Sequence, residues 1–258
     1  MAKKQTGNTL ATLTNVTLAS IAMAKLINRN PHLPGFSCLY GPAGWGKSEA
    51  AKYCRQTHNA YYIQCKKTWS QKGTLAACCK AMGLDSKGTA EILLDRVCEH
   101  LAKTGRPLII DELDKMVDKK SVEVIRDILD GTGEVKDGEH LPSILLIGEE
   151  MIPRKLQRWD RFHGRVSQWV PVQPASLEDC KKMASHYCGD LDIAEDLLHL
   201  IWETANGSYR RIVVNLDLVA TEAAETGMTE ITRADWQATG KELYTGKVAI
   251  RGFVNDQK

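Results

Sequence analysis

Gly41-Pro42-Ala43-Gly44-Trp45-Gly46-Lys47-Ser48 decides how the rest of this chain is read. The stretch fits G-x-x-x-x-G-K-[S/T], a pattern whose chemistry is narrow. Its glycines let the backbone wrap closely, so that N–H groups point inward at phosphate oxygens. In such a loop Lys47 sets a cation between the β- and γ-phosphates of a nucleotide, and the Ser48 hydroxyl ligates Mg²⁺. The helix opening there adds its positive dipole end, with Glu49 as its next residue. A plain Gly-rich turn is the alternative, and context argues against it. Gly35-Phe36-Ser37-Cys38-Leu39-Tyr40 reads as a short buried strand before the loop, and Ser48 to Gln56 as a helix after it.

A second stretch narrows the chemistry. Leu108-Ile109-Ile110-Asp111-Glu112 is an apolar strand ending in two carboxylates, and Asp111 lies 64 residues beyond Lys47. In a parallel sheet the tip of such a strand falls beside the phosphate loop. Asp111 is then expected to hold Mg²⁺ through water, and Glu112 to take a proton from the attacking water. ATP and Mg²⁺ are the expected cofactors, and ATP hydrolysis the expected reaction. A strand ending in surface acids is the bland reading, and the phosphate loop outweighs it.

Around these two stretches the chain alternates short apolar runs with helical patterns. Strands are expected at 60–64, 107–111, 143–147 and 166–172, with helices at 75–82, 90–103 and 122–129 between them. Buried strands alternating with helices predict an α/β fold with a five-stranded parallel sheet covered on both faces. After Pro174 the pattern turns helical, at 178–187, 194–205, 210–224 and 233–244, with no strand in sight. The expected layout is a basic lead-in with one helix over 1–34, a core over 35–174, a small helical domain over 175–240 and a flexible tail over 241–258.

Composition is that of an ordinary globular protein, with 43% hydrophobic and 26% charged residues. No apolar run reaches the ~20 residues that cross a bilayer, and the N-terminus lacks an apolar leader, so a cytoplasmic location without membrane contact is expected. The eight cysteines form no C-x-x-C pair and share no metal spacing with the histidines, which points to reduced, mostly buried thiols. The net charge of +2 hides an asymmetry. Through Leu84 there are eleven basic residues against the single acid Glu49, and the remainder carries 23 basic and 31 acidic residues. Such a front half suggests an anionic partner.

With its phosphate loop, Asp-Glu strand and following helical region, the chain resembles the AAA+ P-loop ATPases. Within them it is similar to the transposition ATPases, the B protein of Mu-like phages and its relatives in Tn7-like transposons, in the lead-in Leu13-Thr14-Asn15-Val16, the Gly-Pro-Ala-Gly-x-Gly-Lys wording and overall size. The resemblance runs from about Thr12 to Ala224. It implies a helical lid after the core and a homo-oligomer in which one subunit's arginine completes its neighbour's ATP site. Arg158, Arg161 and Arg165 lie where that finger belongs, with Arg161 and Arg165 favoured. It implies a further arginine from the lid, and Gly207-Ser208-Tyr209-Arg210-Arg211 offers Arg210 ahead of Arg211. Many relatives end the fourth strand in Asn or Thr to position water. Here Gly148-Glu149-Glu150 stands there, so hydrolysis is expected to be slow unless stimulated.

The resemblance also implies double-stranded DNA as a partner. After the second strand comes Lys66-Lys67-Thr68-Trp69-Ser70-Gln71-Lys72, then Lys80, a set suited to sequence-independent backbone contacts. A solvated basic loop with Trp69 in the core is the competing reading. The expected function is a DNA-dependent ATPase that assembles head-to-tail on duplex DNA, as a filament or ring, and delivers it to a transposase. Two alternatives stand beside it: a remodeller or helicase loader acting on a protein, and a nucleotide-gated binding module with little turnover.

Overall fold

The computed structural model describes residues 12–117, 120–131 and 140–247. The first eleven residues of the expected lead-in and the end of the expected tail lie outside them. The described residues form two compact units, one up to Gln173 and the other from Pro174.

The first unit is built on five parallel strands: β1 (Phe36–Tyr40), β2 (Tyr61–Gln64), β3 (Leu108–Asp111), β4 (Ile144–Gly148) and β5 (Val166–Pro171), in the order β2-β3-β4-β1-β5. Strands β1, β3 and β4 lie inside the sheet and carry almost unbroken apolar sequences, because both of their faces are covered. The edge strands β2 and β5 are only partly buried, and β5 closes on Pro171, tolerable at an edge where that N–H has no ladder partner to serve. Register is set by pairs such as Leu39 with Ile147 and Ile63 with Ile110.

Helix α1 (Thr14–Ile27) buries Val16, Ala19, Met23 and Leu26 and packs against α2 (Lys47–Thr57) and β1, so the lead-in helix is part of this unit. Arg29, just past its end, donates to Leu26 O (2.9 Å), Ser143 Oγ (2.8 Å) and Pro142 O (2.7 Å), stitching α1 to the entry of β4. Helices α3 (Gln71–Met82) and α4 (Ala90–Thr104) begin at Ser70 and Thr89, whose hydroxyls accept from Gly73 N and Ile92 N. Short helices α5 (Asp114–Val117), α7 (Ile152–Leu156) and α8 (Asp160–His163) flank α6 (Glu123–Asp130) in sequence. At 4–5 residues, the three short ones leave no helical period to read. Phe162 of α8 stacks on Phe36 of β1 with ring centroids 4.8 Å apart, anchoring an otherwise marginal turn of helix.

The second unit holds α9 (Leu177–Tyr187), α10 (Glu195–Ala205), α11 (Tyr209–Thr226) and α12 (Arg233–Ala238), a small helical lid. Two features depart from the sequence reading. A two-residue parallel pair, β6 (Asp192–Ile193) with β7 (Glu230–Ile231), is too short to show a period of two. The last helix stops at Ala238 instead of 244, because Gly240 takes a left-handed φ of 70° and Thr239 Oγ1 bonds back to Trp236 O. Residues 241–247, expected to open the tail, lie against α11. The buried Asn215 accepts from Tyr244 N (2.6 Å) and donates to Tyr244 O (3.2 Å), while Lys241 pairs with Glu222.

Candidate nucleotide site

The loop after β1 turns on positive-φ glycines. Gly41 has φ 152°, and a Cβ there would sit 2.3 Å from Val172 Cγ2, so a side chain would displace Val172, just past the end of β5. Gly46, with φ 81°, precedes α2 and lets the chain swing from the loop into the helix whose first residues are Lys47 and Ser48. Lys47 Nζ donates to the carbonyls of Gly41 (2.7 Å) and Pro42 (2.8 Å), holding its charge at the mouth of the loop. Glu49 faces solvent in an ion pair with Lys52 at 2.6 Å, so the structure turns this expected nucleotide neighbour outward.

One residue outside the motif shapes this loop. The Asn15 side chain, 1% exposed, donates to Trp45 O (2.9 Å) and Gln173 O (2.8 Å) and accepts from Gln173 N (2.8 Å). Both amide hydrogens and the carbonyl are therefore committed, and α1, the phosphate loop and the exit of β5 are tied at one point.

Strand β3 delivers Asp111 to the same place. Asp111 is 2% exposed, yet its carboxylate is well supplied with donors: Ser48 Oγ (3.0 Å) and Tyr62 OH (2.8 Å) to Oδ2, and Glu112 N (2.7 Å) to Oδ1. A hydroxyl and a carboxylate in contact beside a phosphate loop are a hard-oxygen donor set that fits Mg²⁺, so Ser48 and Asp111 would hold it, with Asp111 acting through water. Glu112 sits at φ 56°, a left-handed backbone that costs a side-chain-bearing residue strain and kinks the chain off the end of β3. Its carboxylate pairs with Lys115, one turn on.

At the tip of β4, the Glu149 side chain is exposed and its backbone is what it contributes. Glu149 N donates to Asp114 Oδ2 at 2.5 Å. A Cβ on Gly148 would meet that same oxygen at 2.9 Å and Ile152 Cγ1 at 2.8 Å. Asp114 and Ile152 thus fill the space that a side chain at 148 would need. Burial holds the Asp114 carboxyl above the usual carboxylate range, with the Glu149 N–H bond and Lys155 pulling the other way.

The arginines separate. Arg165 is committed to Asp130 within its own chain (Nε–Oδ1 2.9 Å, Nη2–Oδ2 3.3 Å), and this partner raises its pKa further. To serve as a finger, Arg165 would first leave this exposed pairing. Arg158 and Arg161 are exposed. In the lid, Arg210 is exposed at the start of α11, whereas Arg211 lies against Gly246, where a Cβ would sit 2.7 Å from its Nε. Of the expected DNA contacts, Lys66 and Lys67 stand exposed on a turn closed by Trp69 N to Lys66 O (3.1 Å), and Lys72 and Lys80 are exposed on α3. Trp69 is half-buried against the core, so its ring serves packing first.

A family model described as AAA domain matches residues 29–156. The solved structure of the Aeropyrum pernix ORC2 protein in ADPNP–ADP complexes is similar, with a TM-score of 0.70 and 16% identity over 87% of this chain and 66% of that one. The Aeropyrum pernix ORC1 protein in complex with DNA gives 0.62 and 15% over 88% and 64%. The Thermotoga maritima RuvB Holliday junction branch migration motor gives 0.61 and 16% over 87% and 67%. At these identities the likeness is one of fold, and the chain spans about two thirds of these proteins' lengths. None of the curated proteins compared matches the sequence. No helix among the described residues is long and apolar enough to cross a membrane.

Proposed function

We propose that this chain, a P-loop ATPase of the AAA+ kind, forms oligomers that engage the backbone of duplex DNA and use ATP hydrolysis to act on DNA or on a protein assembly bound to it. The observation that carries this reading is the position of the basic turn. Lys66 and Lys67 are exposed and follow directly on Cys65, whose N–H bonds to Asp111 O at 2.9 Å. Cations placed one residue from the nucleotide site's own strand suit a phosphate backbone whose binding is tied to ATP. The ORC1 protein, similar in fold, was solved in complex with DNA, and RuvB is described as a branch migration motor.

At the reacting centre this chain's groups divide the work. Mg²⁺ held by Ser48 and, through water, by Asp111 would neutralise charge on the nucleotide's phosphates. Lys47 gives up the Gly41 and Pro42 carbonyls for phosphate oxygens. Glu112 accepts the proton of the attacking water once its carboxylate turns from Lys115. Arg161, exposed on a short helix pinned by Phe162, is the better finger toward a neighbour's ATP, and Arg210 the better lid arginine. Head-to-tail contacts of this sort are heterologous and build rings or filaments.

Delivery of DNA to a transposase is the narrower form of this proposal. It draws on the wording of Leu13-Thr14-Asn15-Val16 and of the phosphate loop, whereas the folds compared above belong to ORC proteins and a branch migration motor. The test is sedimentation and electron microscopy with long random duplex, in ATP, in ADP and without nucleotide. Assembly on DNA in ATP alone supports the proposal. ATP binding with no DNA association refutes its DNA part and leaves a remodeller of protein partners.

A further inference from the structure

We infer that Tyr62 is a positioning residue for the metal step: its hydroxyl holds the Asp111 carboxylate in place beside Ser48, so that both meet Mg²⁺ together with ATP. The inference rests on the ATP-site reading and is independent of DNA.

Among the described residues, three donors reach the Asp111 carboxylate, and they are not equivalent. Glu112 N, at 2.7 Å from Oδ1, is the next residue's backbone and comes with the kink itself. Ser48 Oγ, at 3.0 Å from Oδ2, is itself a metal ligand by the logic of the loop. Tyr62 OH, at 2.8 Å from the same Oδ2, is the one side-chain donor of the three with no other duty. A carboxylate that reaches a metal through water is oriented by such outer partners, and their loss commonly weakens metal binding without touching the ligands.

The sheet places this hydroxyl rigidly. In β2, Tyr61 and Tyr62 point to opposite faces, as successive strand residues must. Tyr61 OH bonds His100 Nε2 at 2.7 Å, and Arg106 stacks 3.9 Å over its ring. Tyr62 faces the other way, toward α2 and the tip of β3. Gln64 pairs with Asp111 across the ladder, and Cys65 N donates to Asp111 O at 2.9 Å. The residue carrying the metal carboxylate is thus held by β2 through both backbone and side chain.

The test uses the full chain carrying Tyr62→Phe, which removes one oxygen and keeps the ring. Affinity for a fluorescent, non-hydrolysable ATP analogue is measured by anisotropy in EDTA and across a series of free Mg²⁺ concentrations. Tyr62→Phe is expected to match wild type within about twofold in EDTA and to need roughly tenfold more Mg²⁺ for half of the metal-dependent gain in affinity. Ser48→Ala, the ligand control, is expected to lose that gain. An unchanged Mg²⁺ midpoint in Tyr62→Phe overturns the inference. So does an equal loss of affinity with and without metal, which assigns the hydroxyl to the fold alone. A wild-type protein whose affinity does not respond to Mg²⁺ overturns both the inference and the metal-site reading beneath it.

Discussion

Replacing Asn15 with aspartate is expected to damage the protein at least as much as replacing it with alanine, an ordering that side-chain volume alone would reverse. Alanine removes three hydrogen bonds, of 2.9, 2.8 and 2.8 Å, and leaves Trp45 O and the backbone N–H and C=O of Gln173 without this partner in a place where Asn15 is 1% exposed. At ~1 kcal/mol net per neutral bond, the loss is about 3 kcal/mol, and more where a buried group stays orphaned. Aspartate has nearly the volume of asparagine and keeps the bond from Gln173 N. It also turns an anionic oxygen toward two carbonyls that previously received N–H, replacing two attractions by two repulsions. Urea unfolding followed by far-UV circular dichroism measures the order directly, through the midpoint at unchanged slope. The same variants are titrated with ATP, because Trp45 O belongs to the phosphate loop. The knot is refuted if Asn15→Asp unfolds at the wild-type midpoint and binds ATP like wild type.

Three further outcomes are expected. Glu112→Gln keeps ATP binding and loses hydrolysis by about 10²-fold or more, measured as single-turnover phosphate release, since only proton transfer is removed; near-normal turnover would assign the base elsewhere. Changing Lys66, Lys67 and Lys72 to alanine together lowers the slope of log K against log salt for duplex DNA by about 2.7, at ~0.9 per lost phosphate contact; an unchanged slope would clear the basic turn of contact. All eight cysteines are free and buried, and burial pushes Cys54 and Cys188 up to about 11 from an ordinary 9.0. At pH 8 only ~10⁻³ of such thiols ionise, so native protein should resist iodoacetamide until denatured. Because the folded thiols hold their protons longer than unfolded ones, their contribution to stability is whole below pH 9 and falls as pH rises toward 11.

The architecture was readable because its signals are local. Strands β1, β3 and β4 are unbroken apolar runs, the loop between β1 and α2 has glycines where the backbone needs positive φ, and Asp111 and Glu112 end a strand. The supporting residues were not readable for the opposite reason. Tyr62 looks like any strand aromatic, and its value depends on Asp111 49 residues away. Asn15 sits within a helical pattern and acts across 30 and 158 residues. Asp114 passes for a surface acid until the lack of a side chain at Gly148 is seen to make room for it. Arg165 shows the same limit, since its pairing with Asp130, 35 residues away, leaves no local mark in the sequence. Trp69 likewise stood among residues suited to DNA, yet its ring packs against the core.

The strand order has a consequence for how this protein is made. Neither β1, which leads into the phosphate loop, nor β3, which ends in Asp111, pairs with the other; each pairs with β4. A nascent chain that has passed Glu112 already contains both motifs, yet nothing holds them at bonding distance until Ile144–Gly148 has emerged and inserted between them. Docking of a central strand after its neighbours closes loops of large sequence separation, a slow kind of step. Until then the ribosome-bound chain presents both edges of β1 and one edge of β3 uncovered, and a loop with no partner carboxylate. ATP would then find its site only on chains that have completed this insertion, and could draw them toward the folded state by mass action.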